Sequence, residues 1–197
     1  MLAIVLAACA ANPSEAPPTP VANAAANPVA KPVAKPVPVS DLKPTVTRTG
    51  ERHVTMCRRF ADASCSQVFA ALTTPDLLRR WLNAAGRKLT ASEIDLRPGG
   101  SYRHTFTSPG RTTLVVYGAF REVVPDKRIV HTEAYEGYDW EPLVVRTDLV
   151  ASGRDTVMTV VSEYPSKQIC DRDMPNLENA AAAYDGLAAL LAQKQKK

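Results

Sequence analysis

The sequence predicts an α+β fold in which an antiparallel, curved sheet of six to seven strands wraps around a long C-terminal helix. Three observations carry this expectation. Between residues 53 and 164, short runs alternate apolar and polar side chains with period two, which reads as half-buried strands. Turn signals rich in Pro and Gly separate these runs, and tight turns force neighbouring strands to run antiparallel. Near the end the period lengthens: Leu177, Ala180, Ala181, Tyr184, Leu187, Ala188 and Leu191 form one apolar stripe at helical spacing. One face of the sheet must be covered, and this stripe is the only long amphipathic element in the chain.

The elements follow in order. His53 to Phe60 places Val54, Met56 and Phe60 on one face of a first strand. Arg58 shares that parity and therefore needs a partner. Ser64 is a candidate N-cap for a helix carrying Val68, Phe69 and Leu72. Thr74-Pro75-Asp76 supplies a capping hydroxyl, a proline at the first helical position and an acid near the positive end of the dipole. Leu77, Leu78 and Trp81 follow on that second helix. Leu89 to Leu96 is a strand that ends at the turn Pro98-Gly99-Gly100. Ser101 to Thr107 alternates with Tyr102, His104 and Phe106 on one face, then turns at Ser108-Pro109-Gly110. Thr112 to Val124 is a long strand in which Gly118 marks a bend or bulge. Arg128 to Ala134 is short; Leu143 to Ala151 and Thr156 to Tyr164 flank the hairpin signal Ser152-Gly153-Arg154-Asp155. Within the last helix, Gly186 costs about 1 kcal/mol relative to Ala.

The chain has 197 residues, enough for one domain and a tail. Nine of its 16 prolines fall between Asn12 and Pro44, a stretch without aromatic residues. Such a segment buries too little apolar surface to offset its ordering entropy. Before it, Met1 to Ala11 reads MLAIVLAACAA, too short to span a bilayer, which takes about 20 apolar residues. Leu6-Ala7-Ala8-Cys9 matches the bacterial lipobox, where small residues admit the peptidase and the Cys9 thiol takes the lipid as a thioether. The positive charge that usually precedes such a run is missing. The expected organisation is therefore 1–9 as a lipoprotein signal, 10–52 as a Pro/Ala-rich disordered linker, and 53–197 as the folded domain. At roughly 3.1 Å per residue in polyproline II, a linker of about 40 residues reaches on the order of 100 Å. The domain is expected in the cell envelope, lipid-anchored with its body in the periplasm or outside, or in the cytoplasm if the lipobox is not used.

The formal charge of +4 is modest, and Lys and Arg are scattered except for Lys194, Lys196 and Lys197. A nucleic-acid binder would show a basic face with interleaved aromatics, so that class is set aside. The terminal lysines suit the negative end of a helix dipole.

The ordered set Gln67-Val68-Phe69-Ala70-Ala71-Leu72-Thr73-Thr74-Pro75, Arg80-Trp81, Glu93-Ile94-Asp95-Leu96-Arg97-Pro98-Gly99-Gly100-Ser101-Tyr102, Gly118-Ala119-Phe120-Arg121-Glu122-Val123-Val124-Pro125, Arg128-Ile129-Val130, Tyr164-Pro165-Ser166 and Tyr184-Asp185 resembles the SRPBCC/START-like superfamily. Within it, the chain is similar to bacterial proteins like the activator of the heat-shock-protein-90 ATPase. The resemblance implies the helix-grip fold with an internal cavity beneath the long helix; fold analogy alone does not imply one reaction. It departs from the family at Ala61, an extra residue; at Cys65, often proline; at Leu82, commonly aromatic; and at His131, usually aromatic. Asn179-Ala180 replaces a common Gly plus bulky residue, which predicts a larger cavity beneath Ala180 and Tyr184.

The candidate ligand-binding residues are Trp81, Tyr102, His104, Phe106 and Tyr117, with Phe120, His131, Tyr135 and Tyr184. They suggest a mostly apolar pocket with a few polar groups to orient a small hydrophobic or aromatic ligand. Each is equally at home in a plain core, because aromatics dominate core packing. His104 and His131 lie on different strands, and Glu133 shares the parity of His131; these are the candidates for acid–base chemistry, since histidine titrates near neutrality. The bland alternative is that each histidine is partly exposed or hydrogen-bonded within the sheet. Zinc is a poor match, because the two His and one Glu lack ligand spacing, and no cofactor is expected. Cys57, Cys65 and Cys170 leave at least one thiol unpaired, and Cys65–Cys170 would join opposite ends of the sheet. Three functions follow: a tethered ligand-binding domain without catalysis; an enzyme of the cyclase, hydrolase or isomerase kind; or a chaperone-interaction module, whose chaperone would be cytosolic.

Overall fold

The computed structural model describes residues 43–84 and 86–194. The apolar start, Cys9 and the linker to residue 42 lie outside them, as do Lys196 and Lys197. The strands are β1 (Thr45–Arg48), β2 (His53–Phe60), β3 (Asn83–Ala84), β4 (Arg87–Ile94), β5 (Ser101–Thr107), β6 (Leu114–Val124), β7 (Arg128–Tyr135), β8 (Leu143–Ser152) and β9 (Asp155–Glu163). The helices are α1 (Cys65–Thr73), α2 (Pro75–Trp81), α3 (Lys167–Ala182) and α4 (Tyr184–Lys194). The strands form one sheet in the order β1-β2-β9-β8-β7-β6-β5-β4-β3, with antiparallel neighbours throughout. The meander from β3 to β9 is closed by β2, so the first long strand lies beside the last.

The sheet has nine strands, where six to seven were expected. The additions are its two short edges, β1 and β3. β1 falls within the segment that composition assigned to the linker. Thr45, Val46 and Thr47 are β-branched or half-alternating residues that suit a pleated edge, and β1 pairs with Thr55 to Cys57 of β2. The ion pair of Arg48 with Asp171 ties this edge to α3.

The expected helix starts hold, with one difference. Ser64 caps α1 through a reciprocal capping box: its hydroxyl accepts from Gln67 N–H at 3.2 Å, and Gln67 Oε1 accepts from Ser64 N–H at 2.8 Å. Thr74 occupies the N-cap of α2, but its side chain makes no cap bond. Pro75 and Asp76 at the helix start supply the preorganised φ and the favourable charge instead. The C-terminal helix starts earlier than its apolar stripe, at Lys167, where Ser166 Oγ accepts from Ile169 N–H at 3.2 Å. It is also two helices, separated at Ala183. Gly186 lies just past the break, and a Cβ there would stand 2.8 Å from the Trp81 carbonyl oxygen. The bare Gly186 backbone therefore lets α4 settle on the end of α2.

The inner face of the sheet, together with α1, α2, α3 and α4, encloses one core. Parity decides which residues reach it. On β8 and β9 the inward set is Leu143, Val145, Leu149, Met158 and Val160, all buried. A bulge between Leu89 and Ala91 switches the parity of β4, so that Leu89 faces Phe106 and Ser92 faces His104. Arg58 finds the partner its parity demanded: Nη1 donates to Asp185 Oδ1 of α4 at 2.6 Å, and the guanidinium lies over the Phe60 ring.

Candidate ligand site

Strands β5 and β7 carry both buried histidines and the buried Glu133. Tyr102, His104 and Phe106 alternate inward on β5; His131, Glu133 and Tyr135 do so on β7; all six are buried. His104, His131 and Glu133 are each 0% exposed. The strand β6 runs between β5 and β7, and it brings the two sets within reach because of Gly118. A Cβ there would meet the Thr132 carbonyl oxygen at 1.9 Å and the Tyr102 ring at 2.9 Å. With no side chain at Gly118, the Thr132 carbonyl turns toward Tyr102, and Ala119 N–H is taken by Thr132 Oγ1 at 3.0 Å.

The result is a row of rings. The Tyr102 centroid is 5.1 Å from His104, 5.3 Å from His131 and 5.5 Å from Phe120. Phe106 meets His104 edge-on at 6.5 Å, and Phe120 meets His131 at 6.2 Å. Tyr102 donates its hydroxyl proton to Thr132 O at 3.0 Å. Nδ1 of His131 lies 3.0 Å from the same carbonyl and 3.2 Å from the Tyr102 oxygen. A carbonyl only accepts, so the arrangement that satisfies all three contacts places the His131 proton on Nδ1. Nε2 of His131 then carries a lone pair. It has no hydrogen-bond partner among the described residues. The ring of His104 has the Arg103 backbone as a hydrogen-bonding contact, outside close geometry. The expectation of histidines hydrogen-bonded within the sheet therefore holds at Nδ1 of His131 and not at its Nε2.

Burial pushes His104 down to about 2 and His131 to about 3, so both are neutral at physiological pH. The Arg103 backbone works weakly in the opposite sense for His104. Around them, burial raises the ionisation of Tyr102, Tyr135, Tyr164 and Tyr184 above the ordinary phenol value, and the nearby Glu133 carboxyl adds to it in each case. These hydroxyls stay protonated. Tyr135 donates to Glu133 Oε1 at 2.5 Å, and Tyr164 donates to Asp173 Oδ2 at 2.6 Å. Imidazoles that resist protonation this strongly are weak bases at neutral pH, which favours hydrogen bonding over proton transfer.

Of the nine sequence candidates, Tyr102, His104, Phe106, Phe120 and His131 share this row. Tyr135 instead donates to Glu133 and meets Tyr138 and Trp140 edge-on. Trp81 and Tyr184 face each other at 5.6 Å across α2 and α4, and Trp81 donates its indole N–H to Ala71 O. Tyr117 is a correction. It pairs with Arg103 and Ala134 on the opposite parity of β6 and is 41% exposed on the outer face. Tyr184 is buried, while the side chain of Ala180 lies outside the described ones, and so does the larger cavity expected beneath it. A cleft of about 320 Å³ opens between the end of β4 and the start of β5, lined by Glu93, Ile94, Asp95, Ser101, Tyr102 and Arg103.

Two residues that the structure places around these rings escaped sequence reasoning. Asp173 is buried on α3, in line with Cys170, Leu177 and Ala181; a carboxylate on an apolar stripe was the available signal. Trp140, in the β7–β8 loop, stacks on Tyr138 at 5.0 Å and carries the Arg172 guanidinium 4.3 Å above its ring. Among the described residues, the cysteines Cys57, Cys65 and Cys170 are free thiols, and no three His, Cys, Asp or Glu side chains converge to hold a metal ion.

Comparison with known proteins agrees with this architecture. The family model described as Activator of Hsp90 ATPase homolog 1-like protein matches residues 62–192. A crystal structure of a Rhodobacter sphaeroides protein superposes with a TM-score of 0.68 at 26% identity, covering 77% of this chain and 99% of that one. A Nitrosomonas europaea protein gives 0.66 at 20% identity, covering 76% and 100%. A solution structure from Arthrobacter aurescens gives 0.67 at 19%, covering 76% and 91%. None of the curated proteins matches.

Proposed function

This chain belongs to the Activator of Hsp90 ATPase homolog 1-like family, and from that premise we propose that it binds a small hydrophobic or aromatic ligand between its sheet and its C-terminal helices. One observation carries the reading: aromatic rings line the inner side, Tyr102, Phe106 and Phe120 on the sheet and Trp81 against Tyr184 on the helices, with His104 and His131 among them. The surrounding rings of Tyr102, Phe106 and Phe120 supply the apolar contact that most binding pockets offer.

The enzyme alternative is weaker on the same geometry, because His104 and His131 are held neutral far below pH 7. The chaperone-activator alternative rests on the family's description alone. The lipobox at Cys9 supports a further part of the proposal: the domain is tethered to a membrane in the cell envelope by its N-terminal linker. No helix among the described residues is long and apolar enough to cross a membrane. The tether predicts a covalent lipid mass on the chain recovered from its host, abolished by Cys9→Ser.

The binding test uses Trp81, which lies against Tyr184 at the helix side of the core. In a Trp140→Phe chain, Trp81 is the remaining indole. Titration with the neutral aromatic probe N-phenyl-1-naphthylamine should give a saturable, one-site change in its fluorescence. A linear, unsaturable response would count against the proposal.

A further inference from the structure

Apart from the interior, and resting on the tether read at Cys9, we infer that one corner of the sheet is a docking surface for the anionic phosphate headgroups of the membrane that holds the chain. The corner draws on two acid-free stretches. Residues 77–92 contain Arg79, Arg80, Arg87 and Lys88 but no Asp or Glu. Residues 96–121 contain Arg97, Arg103, Arg111 and Arg121 but no Asp or Glu. The fold brings parts of both together. Lys88 of β4 pairs across from Thr107 of β5, so the β3–β4 turn and the β5–β6 loop lie side by side. Arg87 Nε donates to Thr112 O at 2.9 Å, and a Cβ on Gly86 would stand 3.1 Å from Arg111 Nη1. Arg80 joins them from α2, which packs on β4 and leads into β3 through Leu82.

Elsewhere on this surface, cations are paired. Arg48, Arg52, Arg59, Arg128, Arg154 and Lys167 each hold a carboxylate. Among the described residues, no ion pair involves Arg80, Arg87 or Lys88. Of the acids on neighbouring elements, Asp76 is held by Arg79 and Glu136 by Arg103. Glu93 lies at the other end of β4, roughly 20 Å from Arg87. Positive charge left over in this way attracts anions, and the guanidinium fork matches the geometry of a phosphate. Nucleic-acid bases would find nothing to stack on, because Trp81 and Phe106, the aromatic residues of 77–92 and 105–113, are buried. The tether allows the contact. β1 and β3 are opposite edges of the nine-stranded sheet, which at about 4.8 Å per strand spans on the order of 40 Å. The chain before β1, about 40 residues, reaches on the order of 100 Å as polyproline II. An anchor joined at the β1 edge therefore leaves the β3 edge free to turn onto the bilayer.

The test uses the full chain carrying Cys9→Ser, so that no lipid of its own holds it to a vesicle. Co-sedimentation compares vesicles of phosphatidylcholine alone with vesicles of phosphatidylglycerol and phosphatidylcholine in equal parts. The anionic vesicles should bind the chain at least about tenfold more tightly, since each Lys or Arg at such a surface contributes about fivefold. Added sodium chloride should weaken that binding. Arg80→Glu/Lys88→Glu reverses two exposed charges and should remove the preference, with circular dichroism checking the fold. Arg121→Glu/Lys127→Glu makes the same change in net charge at exposed positions near the opposite end of the sheet, and should keep the preference. If the first variant does not fold, the native surface still answers through its lipid preference and its salt dependence. Equal binding to both vesicles, binding that salt leaves unchanged, equal losses in the two variants, or tighter binding to a DNA duplex than to the anionic vesicles would each overturn the inference. A native chain without covalent lipid would remove the tether, and vesicle binding would still decide whether this corner docks on phosphate headgroups.

Discussion

An imidazole held away from water and from hydrogen-bond partners resists protonation, and the unfolded chain does not share that resistance. His104 and His131 sit near 2 and 3 in the folded protein, against about 6.5 in an unfolded chain. Between those limits the unfolded state binds more protons, so stability is fully present above pH 6.5 and is lost as the pH falls. From pH 7 to pH 5 the loss amounts to about 2 kcal/mol per histidine. Urea midpoints of the native chain and of a His104→Gln/His131→Gln chain should therefore converge on acidification, since the contribution of Glu133 and the other carboxyls cancels in the difference. Parallel pH profiles would show that the two histidines are solvated. At this scale the sequence was legible wherever parity was respected. Tyr102, His104 and Phe106 were read on one face from strict alternation, and they share it. Tyr117 was grouped with Phe120 because both are aromatic, yet they stand three apart on one strand, and that odd spacing already put them on opposite faces. The contact of His131 Nδ1 with the Thr132 carbonyl was not legible, because it depends on where that carbonyl turns opposite Gly118.

Elements obey local signals until a neighbour intervenes. Helix propensity alone says that Gly186→Ala should stabilise α4 by about 1 kcal/mol. The structure predicts the opposite sign, because the new Cβ would sit 2.8 Å from the Trp81 carbonyl, a backbone atom that cannot swing aside. The expected result is a destabilisation of about 1–3 kcal/mol in chemical denaturation, the range for overpacking a tight contact; a more stable Gly186→Ala chain would contradict the packing of α4 on α2. The same dependence on neighbours explains what sequence reading missed. The boundaries of β2, β5 and α1 could be read from alternation, turn residues and the Ser64 capping signal. The edge β1 could not, because a four-residue strand after a proline-rich run is defined by its pairing with β2 rather than by its own pattern. The break between α3 and α4 was hidden for a similar reason: the apolar stripe continues across Ala183, and the division of the helix is set by how α4 meets α2.

For the molecule as a whole, the antiparallel sheet and its C-terminal helical cover followed from the sequence, because tight turns and one amphipathic stripe leave few arrangements. Pairing β2 with β9 leaves β7 at the middle of the sheet with β5 two strands away, and the inward polar residues His104, His131 and Glu133 of those strands are fully buried. Depth is what makes them informative: polar groups at the rim are satisfied by water, whereas these require partners from within. Asp185 on α4 reaches Arg58 on β2, so the helix that covers the interior is also pinned to its far side by a charged hydrogen bond. If the covered interior holds a ligand, native mass spectrometry of the chain purified from its own host will show a species heavier than the covalent chain by one small molecule, with the increment lost on denaturation. A native mass equal to the denatured mass, in protein that also fails to take up aromatic probes, would contradict it.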